Sequence, residues 1–89
     1  MFPTLFPTIL TSRNGFVSLT VNPGATCSGY ARYPDNVTFI QLGGQVAPAN
    51  GMLSWSYQPS PPSSNSGLHH IDCSLNAERA SAEAKFLAP

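Results

Sequence analysis

Charged side chains are scarce in this chain, which has four Lys or Arg and four Asp or Glu among its 89 residues. They make up 9% of the sequence, against about 25% in typical soluble domains. Because the two signs cancel, the chain offers little electric field to attract nucleic acid or anionic lipid. A net charge near zero favours contact between copies. We therefore expect no nucleic-acid partner. The expected partners are copies of the chain itself or neighbouring surface domains.

Long hydrophobic runs are also missing. No stretch reaches the roughly 18 apolar residues that a membrane-spanning helix needs, so we expect no direct membrane insertion. The opening segment 2–11 is apolar, but prolines interrupt it, and it has neither the basic region nor the cleavage site of a signal peptide. Either Met1 is an added start residue, or the chain is one piece of a longer exported protein.

The sequence has no recognisable catalytic or metal-binding motif. Its carboxylates show no paired arrangement for acid–base catalysis, and no serine lies in a G-x-S-x-G motif. The two isolated cysteines lack the paired spacing of a zinc site. His69 and His70 are neighbours on a predicted strand and point to opposite faces, although His70 and Asp72 share one. We predict no enzymatic activity, no cofactor and no metal.

Turn-forming residues recur at short intervals, and the runs between them alternate between apolar and polar residues. Period-two alternation occurs in 16–21, 52–57, 68–75 and 79–86, and it is typical of half-buried strands. The segment 77–87 has high helix propensity, but its small and charged residues alternate strictly, so we predict a strand. The proline-containing segment 2–11 is predicted to be an edge strand.

The same alternation predicts the residues of the core. The inward positions are Val17, Leu19, Val21, Leu53, Trp55, Ile71 and Phe86. A carbohydrate-binding role for Trp55 would require it to be exposed instead. Cys27 and Cys73 also fall on inward positions, so both thiols can point into one core. They are then either bridged or two free buried thiols.

Several motifs occur in a fixed order along the chain. They are Pro23-Gly24-Ala25-Thr26-Cys27, Gly51-Met52-Leu53-Ser54-Trp55-Ser56-Tyr57, Gly67 with Cys73, and Ser81-Ala82-Glu83-Ala84-Lys85-Phe86. In these motifs, residues 15–87 resemble a family of bacterial extracellular immunoglobulin-like domains. Tyr57 replaces a tryptophan that is frequent in the family, and Leu75-Asn76-Ala77 replaces its Gly-Gly turn.

The resemblance implies an all-β fold, an immunoglobulin-like sandwich of about seven antiparallel strands with one inter-strand Cys27–Cys73 disulfide. It also implies an extracellular or cell-surface location. We assign residues 1–14 to an N-terminal strand or donor-strand extension and 15–89 to the sandwich. Trp55 lies too far after Cys27 to match the antibody pattern, so no antibody-like binding role follows.

These observations favour a non-enzymatic extracellular structural or adhesive module. Its apolar N-terminal segment could assemble copies into a surface filament or array by pairing with an edge of a neighbouring copy. The residues of this assembly segment are Phe2, Leu5, Phe6, Ile9 and Leu10. The alternative is a module of a larger secreted protein that binds a glycan or a protein through loops 34–50 and 58–67. Asn36 begins a sequon that could carry a glycan.

Overall fold

Strands account for most of the computed structural model, which describes residues 5–33, 39–58 and 66–87. In these ranges the chain forms seven strands, namely β1 (Thr8–Arg13), β2 (Phe16–Thr20), β3 (Thr26–Arg32), β4 (Phe39–Val46), β5 (Met52–Ser56), β6 (Ser66–Leu75) and β7 (Glu78–Leu87). They form a three-stranded sheet, β1-β2-β5, and a four-stranded sheet, β4-β3-β6-β7, with antiparallel pairing throughout. The prediction of an all-β protein with about seven antiparallel strands is confirmed. The described ranges include no helix of the length and apolarity needed to cross a membrane.

The alternating segments correspond closely to strands. Strands β2, β5, β6 and β7 match the predicted runs within two residues at each end. Strand β7 forms in spite of its helix propensity because Asn76 adopts a φ of 56° and turns the chain back onto β6. In β7, Ala80 and Ala82 then pack against the core while Arg79, Glu83 and Lys85 face solvent.

Two local predictions are wrong. The predicted loop 34–50 contains strand β4, and the start of β6 occupies the end of the predicted loop 58–67. The pair Gly43-Gly44 lies where the register between β3 and β4 shifts, between the partners Leu42–Gly29 and Gln45–Cys27, so it forms an irregularity inside a strand and not a turn. The first strand lies at a sheet edge, as predicted for the segment 2–11, but it begins after Pro7 and extends to Arg13, so it contains no proline.

The two sheets enclose one main core. All seven side chains that the alternation assigned to the interior are buried, and Trp55 is 7% exposed. Twelve buried residues from both sheets form the larger cluster, which includes Trp55 and both cysteines. A disulfide joins Cys27 on β3 to Cys73 on β6, as predicted, with 4.1 Å between the Cα atoms. These strands are neighbours in one sheet, so the bridge lies within a sheet and not between the two.

Side-chain hydrogen bonds hold the edges of the two sheets together. On one side, Trp55 Nε1 of β5 donates to the carbonyl oxygen of Gly43 on β4 at 2.7 Å. Gln45 Nε2 of β4 donates in the opposite direction, to the carbonyl of Ser54, also at 2.7 Å. On the other side, Ser12 Oγ of β1 donates to the carbonyl of Ala84 on β7 at 3.3 Å. Hydrogen bonds therefore join the two sheets along both sides of the sandwich, and the outer faces of the sheets point towards solvent.

Candidate functional site

Charge is concentrated on the outer face of the four-stranded sheet. Five of the eight charged residues of the chain point outward from β3, β6 and β7 and are exposed, namely Arg32, Asp72, Arg79, Glu83 and Lys85. In contrast, the three strands of the other sheet contain one charged residue, Arg13. Charge in the described part of the chain is thus concentrated on one face, and we refer to it as the charged face.

An aromatic row crosses the charged face. Tyr30 of β3, His70 of β6 and Glu83 of β7 are direct cross-strand partners. The rings of Tyr30 and His70 stack with their centroids 5.2 Å apart, and Phe39 of β4 meets Tyr30 edge-on at 5.6 Å. Because neighbouring strands lie about 4.8 Å apart, stacking of this kind follows directly from the register of the sheet.

Two carboxylates hold the ring of His70. Its Nδ1 lies 2.7 Å from Glu83 Oε2, and its Nε2 lies 2.9 Å from Asp72 Oδ1. Burial lowers the pKa of His70, but the hydrogen bonds and negative charges of Glu83 and Asp72 outweigh it, and the net shift is upward. When His70 is protonated, the three groups together carry one negative charge instead of two.

An open groove lies beside the aromatic row. It has a volume of about 550 Å³, and its polar lining comes from β3, β6 and the start of β7, namely Thr26, Ser28, Asp72, Ser74, Arg79 and Ser81. These residues form two adjacent cross-strand rows, Ser28–Asp72–Ser81 and Thr26–Ser74–Arg79. The groove therefore offers four hydroxyl groups, one carboxylate and one guanidinium to a ligand.

A second polar cluster lies inside the sandwich, around His69. His69 is fully buried, and its ring contacts Ser12 Oγ through Nδ1 and the Tyr57 hydroxyl through Nε2, both at 2.8 Å. The Ser12 hydroxyl donates to the carbonyl of Ala84, so Nδ1–H donates to Ser12 and the Tyr57 hydroxyl donates to Nε2. Burial lowers the pKa of His69 to about 4 and raises that of Tyr57 to about 12.

The pairing of a serine with a histidine resembles the start of a hydrolytic triad. However, no substrate can reach the fully buried ring of His69, and a pKa of about 4 makes it a weak base near neutral pH. The Ser12–His69–Tyr57 cluster instead satisfies polar groups in the core and links β1 to β6.

The two histidines point to opposite faces, as the alternation predicted. His70 does share a face with Asp72, and Glu83 lies on its other side. Because the two carboxylates bind opposite nitrogens of one ring, they do not converge on a common point. In the residues with described positions, no group of three His, Cys, Asp or Glu side chains is arranged to hold a metal ion.

The remaining predicted site residues lie at the start of the chain or outside the described ranges. Leu5 is 2% exposed and Ile9 is half-buried, whereas Phe6 and Leu10 are 64% and 54% exposed. The backbone amide of Phe6 donates to Asn22 Oδ1 at 3.0 Å. The segment around β1 thus packs against its own sheet and still presents two apolar side chains. Phe2 and Asn36 fall outside the described residues.

Sequence reasoning placed His70 and Asp72 on one face but did not find the groove. The alternation in β7 already assigned Arg79, Ser81 and Glu83 to the solvent side. What it could not supply was the register that sets Arg79 opposite Ser74 and Ser81 opposite Asp72. Ser12 and Tyr57 were missed for the same reason, because their partner His69 lies in a distant strand.

The chain matches no protein family model, no curated protein and no solved structure. The fold and the site together define a small, disulfide-bonded, two-sheet β protein with one charged face.

Proposed function

We propose that this chain is a non-enzymatic extracellular structural or adhesive module with an immunoglobulin-like sandwich. The strand order supports the architecture. If the seven strands are lettered A to G in chain order, an immunoglobulin constant domain has the sheets ABED and CFG. The order in this chain differs in one respect, because the fourth strand lies beside the third strand and not beside the fifth.

The disulfide supports an extracellular or cell-surface location. Bridges of this kind persist in oxidising compartments and are rare in the cytosol. The Cys27–Cys73 bridge closes a separation of 46 residues, for which the loop-entropy model gives about 4 kcal/mol of stabilisation. A domain below about 100 residues buries a small core, so such a contribution is a large part of its stability.

Strand β1 supports self-assembly, which is the form of the proposal that we favour. Natural sheets usually protect their edge strands with charged residues, but β1 carries a single charge, Arg13 at its end. Leu10 within β1 and Phe6 just before it are exposed and add apolar surface there. We infer that β1 pairs with an edge of a neighbouring copy and so builds a filament or surface array. The single observation that carries this is an edge strand with one charge at its end and exposed apolar surface, on a chain with no net charge.

Lysine substitution tests the assembly edge. We expect the double variant Phe6→Lys/Leu10→Lys to remain monomeric in sedimentation velocity, while the unmodified chain forms larger species and regular fibres by electron microscopy. Both side chains are exposed, so the fold should survive. The matched control is Ser28→Lys/Ser74→Lys, which adds the same charge to exposed positions on the inner strands β3 and β6 and should assemble normally. Equal assembly of both variants, or a monomeric unmodified chain, contradicts the proposal.

An engineered cysteine pair distinguishes two modes of assembly. In one, β1 leaves its own sheet to join a neighbouring copy; in the other, β1 stays in its sheet and pairs along the free edge. Thr11 and Ser18 are partners in the β1–β2 register, so Thr11→Cys/Ser18→Cys should lock β1 to its own sheet when oxidised. If assembly requires β1 to leave, the locked variant stays monomeric. If edge pairing suffices, it assembles as before.

A second candidate function, binding of a glycan or a protein ligand, is favoured by the groove. The predicted binding loops contain strand β4 and the start of β6, and the described polar cluster lies on the sheet surface instead. Alanine substitution of Asp72 or Ser81 should then weaken ligand binding without changing assembly.

A further inference from the structure

We propose that the groove on the charged face binds the carboxylated sugar of an acidic polysaccharide, with Arg79 as the anchor for the carboxylate. This inference deepens the second candidate function and does not depend on self-assembly through β1. It rests on the groups that line the groove, on their spacing, and on the sign and number of their charges.

Arg79 is the group that selects the ligand. Its guanidinium is exposed at the start of β7 beside the hydroxyls of Thr26 and Ser74. Within the described ranges, Arg79 takes part in no ion pair, and both of the ion pairs found there are formed by His70. A guanidinium binds a carboxylate through two parallel hydrogen bonds, which makes it a stronger and more directional anchor than lysine.

The rest of the groove suits a sugar ring. Four hydroxyls can each donate or accept, as sugar hydroxyls require. Asp72 Oδ1 contacts His70, and the carboxylate is 65% exposed, so Oδ2 can accept from a sugar hydroxyl. The two rows lie about 7 Å apart along the strands, and neighbouring strands lie about 4.8 Å apart. Together with the volume of about 550 Å³, these spacings leave room for one sugar residue.

The charge count favours a monoanion over a phosphate. A phosphate monoester carries almost two negative charges and is usually held by several cations. The groove has one cation, Arg79, and the carboxylate of Asp72 lies in the adjacent row. One guanidinium with one carboxylate and four hydroxyls therefore fits a ligand that has a single negative charge and many hydroxyls. The open, exposed shape of the groove suits a residue within a polysaccharide chain.

The probe for the test is tetragalacturonate, and its methyl ester is the matched neutral ligand. We expect saturable binding of tetragalacturonate by the full chain in two-dimensional NMR, with shifts centred on Ser28, Ser74, Arg79 and Ser81. The ester should bind about tenfold more weakly, because it keeps the hydroxyls and loses the charge. Using the monomeric Phe6→Lys/Leu10→Lys variant alongside the unmodified chain separates failure of this site from failure of the assembly proposal.

Two variants with the same change in net charge complete the test. Arg79→Gln should weaken binding of tetragalacturonate about tenfold, whereas Arg32→Gln, on the same face but outside the groove, should change it less than about twofold. Both residues are exposed, so both variants should fold. Equal losses in the two variants, equal binding of the ester, equal binding of acetate or phosphate, or no saturation at roughly 20 mM tetragalacturonate would overturn the proposal.

Discussion

The buried ring of His69 makes the stability of this protein sensitive to mild acid. Its pKa is about 4 in the folded chain, against 6.5 for an unperturbed histidine. Because the folded pKa is depressed, the stabilisation is complete above about pH 6.5 and is lost as the pH falls towards about 4. Proton linkage then lowers the free energy of unfolding by about 2 kcal/mol at about pH 5 and by about 3 kcal/mol at about pH 4.

The chain contains its own control, because the two histidines are adjacent and face opposite ways. His69→Gln removes the buried titrating ring and keeps an amide in its place, while His70→Gln removes the ring on the charged face. For His70→Gln, we expect the free energy of unfolding to fall between about pH 7.5 and pH 5 as it does in the unmodified chain. For His69→Gln, we expect that fall to be smaller by about 2 kcal/mol. Both variants retain every carboxylate, and His70→Gln also removes the ring that Asp72 and Glu83 hold.

The assay is urea unfolding with the disulfide intact, followed by the fluorescence of Trp55, which is the single tryptophan of the chain. NMR of the two ring Cε1 protons gives the pKa values directly. We expect the pKa of His70 to lie above 6.5 and that of His69 near 4, in line with the carboxylates around one ring and the burial of the other. Identical pH profiles for the two variants, or a pKa of His69 near 6.5, would refute the argument.

Two further predictions concern the sheet that carries the charged face. An added Cβ at Gly29 would lie 1.9 Å from the carbonyl oxygen of His70, so Gly29→Ala should lower the free energy of unfolding by at least about 3 kcal/mol. At Gly44 an added Cβ has no atom within 4 Å, so Gly44→Ala should lower it by less than about 1 kcal/mol. The double substitution Cys27→Ala/Cys73→Ala should lower the free energy of unfolding by about 4 kcal/mol, because the bridge closes a separation of 46 residues. Chemical denaturation checks both, and a Gly44→Ala cost equal to that of Gly29→Ala, or a double variant as stable as the parent, would contradict them.

Strand positions and inward faces followed from local rules. The alternation of side chains along a strand has a period of two whatever the strand pairs with, so the burial of Leu19, Trp55 and Ile71 could be predicted from neighbouring residues alone. The same rule brought Cys27 and Cys73 to the interior, where they form the disulfide. Strand β4 was missed because a glycine pair inside a strand and one in a turn look alike in sequence, and pairing with β3 decides between them.

The chain by itself determined which side of the alternating strands β2, β5, β6 and β7 faces the core, and with it the all-β class. The tertiary structure decided which strands are neighbours and in what register. Register depends on long-range packing and loop closure between segments far apart in the chain, and a local pattern holds no information about either. Hence the sequence showed Arg79, Asp72 and Ser28 as separate exposed residues, and folding placed them in one groove. In the same way, only the packing of β1 against β6 brought Ser12 to His69.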